Sequence, residues 1–102
     1  MRIIVPFNLK PGTDIAEYED WARTKDVPTA SGLPSVKSFT VHKATGLFGD
    51  PDTPPPFAYF EVLDITNLDE FVADVSDPEF QAEVAPFQEF ADSPQFILTE
   101  DL

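Results

Sequence analysis

"VKSFTVHKATGLFGDPDTPPPFAYFEVLDI", residues 36–65, decides the fold. Val36–Ala44 alternates apolar and polar side chains as a half-buried strand does, and Phe57–Ile65 resumes with a β-branched and aromatic run. Between them Thr45–Pro56 carries enough Gly and Pro to be a loop. Upstream, Arg2–Leu9 ("RIIVPFNL") is a further short strand that stops at the turn signal "KPG", with Pro6 costing it a ladder donor and suggesting an edge or a bulge.

The intervening segments read as helices. Thr13 is the expected N-cap of "DIAEYEDWARTKD", with acids in the first turn, Ile15, Tyr18 and Ala22 on one face, and an end before Pro28. After the third strand, "TNLDEFVADVS" sets Leu68, Phe71, Val72 and Val75 at helical spacing. "DPEFQAEVAPFQEFAD" opens with Asp77 as cap and Pro78 at the first helical position, and Pro86 should kink it. "PQFILTEDL" closes the chain as a fourth strand. Strand, helix, strand, strand, helix pair, strand is the split βαβ order. It predicts one α+β domain over residues 1–102, a ferredoxin-like four-stranded antiparallel sheet with helices on one face.

Composition narrows the function. Nineteen acidic against six basic side chains give a formal charge of −13, which repels nucleic-acid backbones and anionic lipid surfaces. The acidic excess also solubilises the surface, and no acidic cluster has calcium-loop spacing. Cysteine is absent and His42 is the one histidine, so disulfides, thiolate chemistry and Cys-based metal sites are excluded and no metal site is expected. No apolar run is long enough to span a bilayer, and "MRIIVPFNLKPG" is too short and too broken for a secretory signal. The expectation is a cytoplasmic protein without a cofactor.

Strand parity assigns side chains to faces. Placing Ile3, Val5, Phe7, Phe39, Val41, Phe60, Val62, Phe96 and Leu98 under the helices leaves Ile4, Asn8, Thr40, His42, Phe57, Tyr59, Glu61 and Ile97 on the other face. That second face mixes apolar groups with acid, base and amide, as a wet pocket or a dimer interface would.

Five blocks carry a resemblance that covers essentially the whole chain: "MRIIVPFNLKPG", "WARTKDVPT", "LPSV", "FEVLDI" and "FADSPQFILTEDL". With them the chain resembles the REDY-like HapK family of the dimeric α/β-barrel superfamily. The resemblance implies a homodimer in which two sheets pack face to face with helices outside. It also implies a place in pathways to prodiginine-type tripyrroles or bisindoles, a small aromatic ligand, and no cofactor. In cofactor-independent monooxygenases of the same superfamily the pocket lies between helices and sheet, which would move the ligand to the other side of the sheet.

Candidate site residues follow from chemistry and parity. His42 is the general acid or base, since its ordinary pKa lets it take and give a proton near neutrality, and Glu61 is its partner or a second carboxyl. Asn8 and Tyr59 are hydrogen-bonding positioners. Trp21 can wall a pocket for a flat ring and Arg23 can hold a carboxylate, although two residues apart on a helix they diverge. The competing reading leaves His42 a plain strand residue, Trp21 in the core and Arg23 in a surface ion pair. The leading functional expectation is a cofactor-independent biosynthetic enzyme that binds a flat pyrrole- or indole-type intermediate and steers its coupling, tautomerisation or hydration by proton transfer. The alternatives are a cofactor-independent monooxygenase, a non-catalytic protein that shields a reactive intermediate, and a dimer with an interaction role alone.

Overall fold

The structure, a computed structural model, describes residues 1–102. Strand β1 spans Arg2–Leu9 and leads into helix α1 (Ile15–Trp21), a π-helical segment (Ala22–Asp26) and helix α2 (Val27–Ser31). Strands β2 (Val36–Lys43) and β3 (Tyr59–Ile65) come next, then helices α3 (Leu68–Val75), α4 (Pro78–Val84) and α5 (Pro86–Phe90). Two short strands, β4 (Ala91–Asp92) and β5 (Ile97–Thr99), complete the chain. The sheet is antiparallel throughout, in the order β2, β3, β1, with β4 and β5 both on the far edge of β1. Helices cover one face, which is the ferredoxin-like layer arrangement the element order predicts.

Two expectations about the strands are corrected. The fourth strand is shorter than "PQFILTEDL" and is preceded by β4, because Ser93 takes a left-handed φ of 48° and Pro94 has no N–H to continue a ladder. β1 is not an edge strand. β5 pairs with Arg2–Ile4 and β4 with Asn8 and Leu9, so Pro6 sits opposite the gap between them, where its missing donor breaks no continuous ladder.

The helices start where carboxamide and carboxylate caps satisfy free backbone donors. Asp14, one residue later than the expected Thr13, accepts from Glu17 N at 3.1 Å. Asn67 accepts from Glu70 N at 2.9 Å, and Asp77 from Phe80 N at 3.0 Å. Pro86 separates α4 from α5. The first helix, expected to stop before Pro28, instead runs on to Ser31 through the π segment, where Val27 N–H bonds to Ala22 O. Pro28 then falls at the start of α2, a position that needs no N–H.

Tyr18, Ala22, Asp26 and Ala30 are all buried and recur every fourth residue. A regular α-helix, at about 3.6 residues per turn, would rotate such a stripe away from the sheet. The wider π turn holds it on one face. Beneath it the core centres on Phe7, which is fully buried, stacks on Tyr59 at 5.6 Å and meets Phe87 edge-on at 5.1 Å. Phe7→Ala is therefore expected to cost about 3 to 5 kcal/mol of stability, measured by urea unfolding. A loss below about 1 kcal/mol would mean that this cluster is not the packed centre of the domain.

Candidate functional site

Register fixes which side chains face the helices, because directly paired residues point the same way. Ile3 pairs with Leu63, Val5 with Glu61 and Phe7 with Tyr59 across β1 and β3; Phe39 pairs with Leu63 and Val41 with Glu61 across β2 and β3. Tyr59, Glu61, Leu63 and Ile65 are thus the buried row of β3, and Phe60 and Val62 look the other way. This reverses the expected parity of β3 while leaving that of β1 and β2 intact. The reason is that both rows of β3 are apolar enough to serve as a core face, and a one-residue change of phase exchanges them.

The reversal divides the expected site. His42 pairs with Phe60 on the open face, where its Nε2 shares a 2.9 Å hydrogen bond with Thr40 Oγ1. Glu61 lies under the helices, so the two cannot act as a pair on one ligand within the chain. Asn8, also on the open side, clamps the end of the long loop: its Nδ2 donates to Pro56 O at 3.1 Å and its Oδ1 accepts from Ala58 N at 2.9 Å. Trp21 is half-buried against Phe90 at 5.7 Å and Tyr18 at 6.4 Å. Arg23 is exposed and ion-paired with Glu19 at 3.3 Å.

The structure does bring Tyr59 and Arg23 together, around a small pocket of about 150 Å³ that Glu19 and Lys43 share. Tyr59 OH donates to Glu19 Oε2 at 2.7 Å, and Lys43 Nζ approaches the same oxygen at 2.7 Å. Those two contacts, the lysine first, hold the Glu19 carboxyl below its ordinary range. Burial, and then the bond to Glu19, raise the Tyr59 phenol above its own.

A far larger cavity, about 710 Å³, lies between the sheet and the helices. Ile3, Phe39 and Leu63 form its sheet side, Phe71, Phe80 and Phe87 its helical side. Val72, Phe96 and Leu98, each more than half exposed, mark its mouth. Its volume falls within the range of small-molecule sites, about 300 to 1,000 Å³.

Three carboxyl groups interrupt this apolar lining: Glu89, which is exposed, and two buried ones, Glu61 from the middle of β3 and Asp26 from the π segment. Glu61 and Asp26 are each only 5% exposed, and Glu61 Oε1 and Asp26 Oδ2 have no hydrogen-bond partner. The buried Tyr18 hydroxyl, likewise unpartnered, belongs to the same stripe as Asp26. Desolvation dominates here, since Val5 and Val41 flank Glu61 on both sides. It pushes Glu61 up to about 9, with the charge of Asp26 contributing, and Asp26 up to about 6. Burial, with the Glu61 and Asp26 charges next, drives the Tyr18 phenol above its ordinary range.

Asp26 is the residue that sequence reasoning missed. Its signal was the fourfold spacing that continues from Tyr18 and Ala22, hidden because a regular helix would turn that spacing away from the sheet. No group of three or more His, Asp or Glu side chains gathers with metal-binding geometry, and no helix is long and apolar enough to cross a membrane.

Comparison with known proteins agrees with this architecture. The chain is similar over its whole length to the crystal structure of HapK from Hahella chejuensis, at 28% identity and a TM-score of 0.75, covering 100% of this chain and 93% of that one. Its fold is also that of a dimeric ferredoxin-like protein from Thermobifida fusca, at 18% identity and a TM-score of 0.73, covering 94% and 85% of the two chains. The cofactor-independent oxygenase SnoaB from Streptomyces nogalater shares it too, at 14% identity and a TM-score of 0.69, covering 99% and 93%. No curated protein matches. The family described as REDY-like protein HapK matches residues 1–102, and the chain belongs to that family.

Proposed function

We propose that the protein is a cofactor-independent enzyme of secondary-metabolite biosynthesis that binds a flat aromatic intermediate of pyrrole or indole type in the large cavity and moves a proton on it. One observation carries this reading: two buried carboxyl groups with unpartnered oxygens line a cavity whose walls are mainly apolar. Their environments separate their roles. Glu61, at about 9, is protonated near neutrality and donates, whereas Asp26, at about 6, is ionised and accepts. A tautomerisation needs that combination: Asp26 removes a proton from one ring atom while Glu61 delivers one to another. His42, on the opposite face, takes no part in this exchange, and Tyr59 acts by holding Glu19 and packing on Phe7 and Tyr18.

Binding is tested by titrating indole- and bipyrrole-type compounds while following Trp21 emission and the melting temperature. Saturable binding with a raised melting temperature is expected. Absence of both removes the cavity as a ligand site. Uptake of oxygen from labelled dioxygen into the product would make the protein an oxygenase, and stoichiometric protection without turnover would make it a carrier.

The protein is further proposed to work as a homodimer through its open sheet face, where Ile4, Phe60 and Val62 are only half-buried and Phe57 and Ile97 are exposed. Support comes from the dimeric ferredoxin-like neighbour. Sedimentation at micromolar concentration should give twice the monomer mass, and a stable monomer would overturn this assignment.

A further inference from the structure

The charge of the large cavity is one-sided. Its titratable lining residues are Asp26, Glu61 and Glu89, its remaining polar ones are Gln81 and Gln88, and no lysine, arginine or histidine faces it. Three cations of the fold have partners of their own. Lys43 and Arg23 both bind Glu19 outside the cavity, and Lys10 Nζ donates to the main-chain oxygen of Gln88 at 2.9 Å. Thr29 Oγ1 donates to Glu83 and the Ser35 main-chain N–H donates to Asp74, and neither residue lines the cavity. Besides Asp26 and Glu61, two buried side chains carry a polar atom without a partner, Tyr18 and Ser35, and neither lines the cavity.

A carboxylate buried in apolar surroundings without a counter-charge is costly, and a ligand that brings the missing charge recovers that cost on binding. A calcium or magnesium ion fits poorly, since such ions want about six to eight oxygen ligands and the buried part of the lining offers two carboxyls, with no third acidic group or histidine gathered beside them in metal-binding geometry. The aromatic walls suit a flat ring, whose face also attracts and is attracted by delocalised positive charge. The formal charge of −13 on the whole chain draws cations toward the molecule.

We propose that the cavity is selective for cationic ligands: a flat heteroaromatic or iminium-type nitrogen base bearing one positive charge, seated with its charged nitrogen at the Asp26 and Glu61 carboxyls. This rests on the reading of the cavity as the small-molecule site and adds the charge class of what enters it. An anionic aromatic of the same shape is excluded, because it would place like charge against Asp26. The ligand's charge also makes Asp26 the counter-ion in the bound state, so the proton that Glu61 carries is the one available for delivery.

Three bicyclic probes of matched size separate the possibilities: N-methylquinolinium, naphthalene and naphthoate, titrated calorimetrically against the full chain at about 0.15 M salt, where surface attraction is largely screened. N-methylquinolinium is expected to bind about tenfold or more tighter than naphthalene, with naphthoate the weakest. In the double variant Asp26→Asn, Glu61→Gln the cation's advantage should vanish while naphthalene binding persists, which shows that the cavity is still folded. Equal binding of cation and neutral probe by the wild type, or an advantage that survives in the double variant, overturns the charge selectivity and leaves the cavity reading standing. Failure of all three probes to bind overturns the cavity reading and this inference with it.

Discussion

Glu61→Gln is expected to slow product formation by about a hundredfold to ten-thousandfold, the usual contribution of a positioned general acid. The amide keeps the shape and can still donate a hydrogen bond, but it has no proton to deliver. Asp26→Asn should act on the same scale by removing the base. The pH profile distinguishes the two. In the wild type, activity rises as Asp26 ionises through about pH 6 and falls as Glu61 ionises through about pH 9. Glu61→Gln should abolish the alkaline limb and Asp26→Asn the acid one. His42→Ala, which alters the opposite face of the sheet, should leave turnover close to wild type. Rates of the purified variants, with melting temperatures alongside, provide the measurement. Full activity in Glu61→Gln, or a profile that keeps both limbs in the variants, removes these carboxyls from the chemistry.

The second large effect is on stability, and its sign is opposite to that of an ordinary salt-bridged acid. Burial raises Glu61 from 4.5 to about 9, so between those values the folded chain holds a proton that the unfolded chain has lost. Stability therefore falls as pH rises through this interval, and Asp26, raised from 3.8 to about 6, adds to the fall at its lower end. Each tenfold displacement of an acid constant is worth about 1.4 kcal/mol. The accumulated loss is several kcal/mol, a large part of the about 5 to 15 kcal/mol that holds a domain together. Exposed carboxylates are fully ionised by about pH 6 and cannot produce a slope above it. Urea unfolding at about pH 6, 7.5 and 9 should thus show a steady decline in the wild type and a nearly flat response in Glu61→Gln. That variant should also be the more stable protein at neutral and alkaline pH, since it removes a buried group that is costly to ionise. A wild-type stability that is constant or rising over this range would mean that Glu61 ionises normally and is not desolvated as the structure places it.

Local information was enough to determine most of the segments that become strands and helices. Alternation in Val36–Lys43, the Gly and Pro content of Thr45–Pro56 and the cap at Asp77 are properties of neighbouring residues, and they lead to the main element order of the structure, without β4 and without the continuation of the first helix through the π segment into α2. The family blocks and the exclusion of cysteine chemistry were legible in the same way. The phase of β3 was not. Tyr59, Glu61, Leu63 and Ile65 form one row, Phe60 and Val62 the other, and both are apolar enough to be the core, so only pairing with Val5 on β1 and Val41 on β2 selects between them. That selection moved Glu61 away from His42 and under the helices. Asp26 depended on tertiary structure as well, because the π turn that carries it inward is held by packing of the Tyr18, Ala22 and Ala30 stripe against the sheet, a contact that helix propensity does not contain. Sequence by itself thus determined the architecture and the stock of chemical groups. Which groups meet in the dry space between sheet and helices was decided by strand register and by the helical bulge, since desolvation acts only where separate elements close over the same side chains.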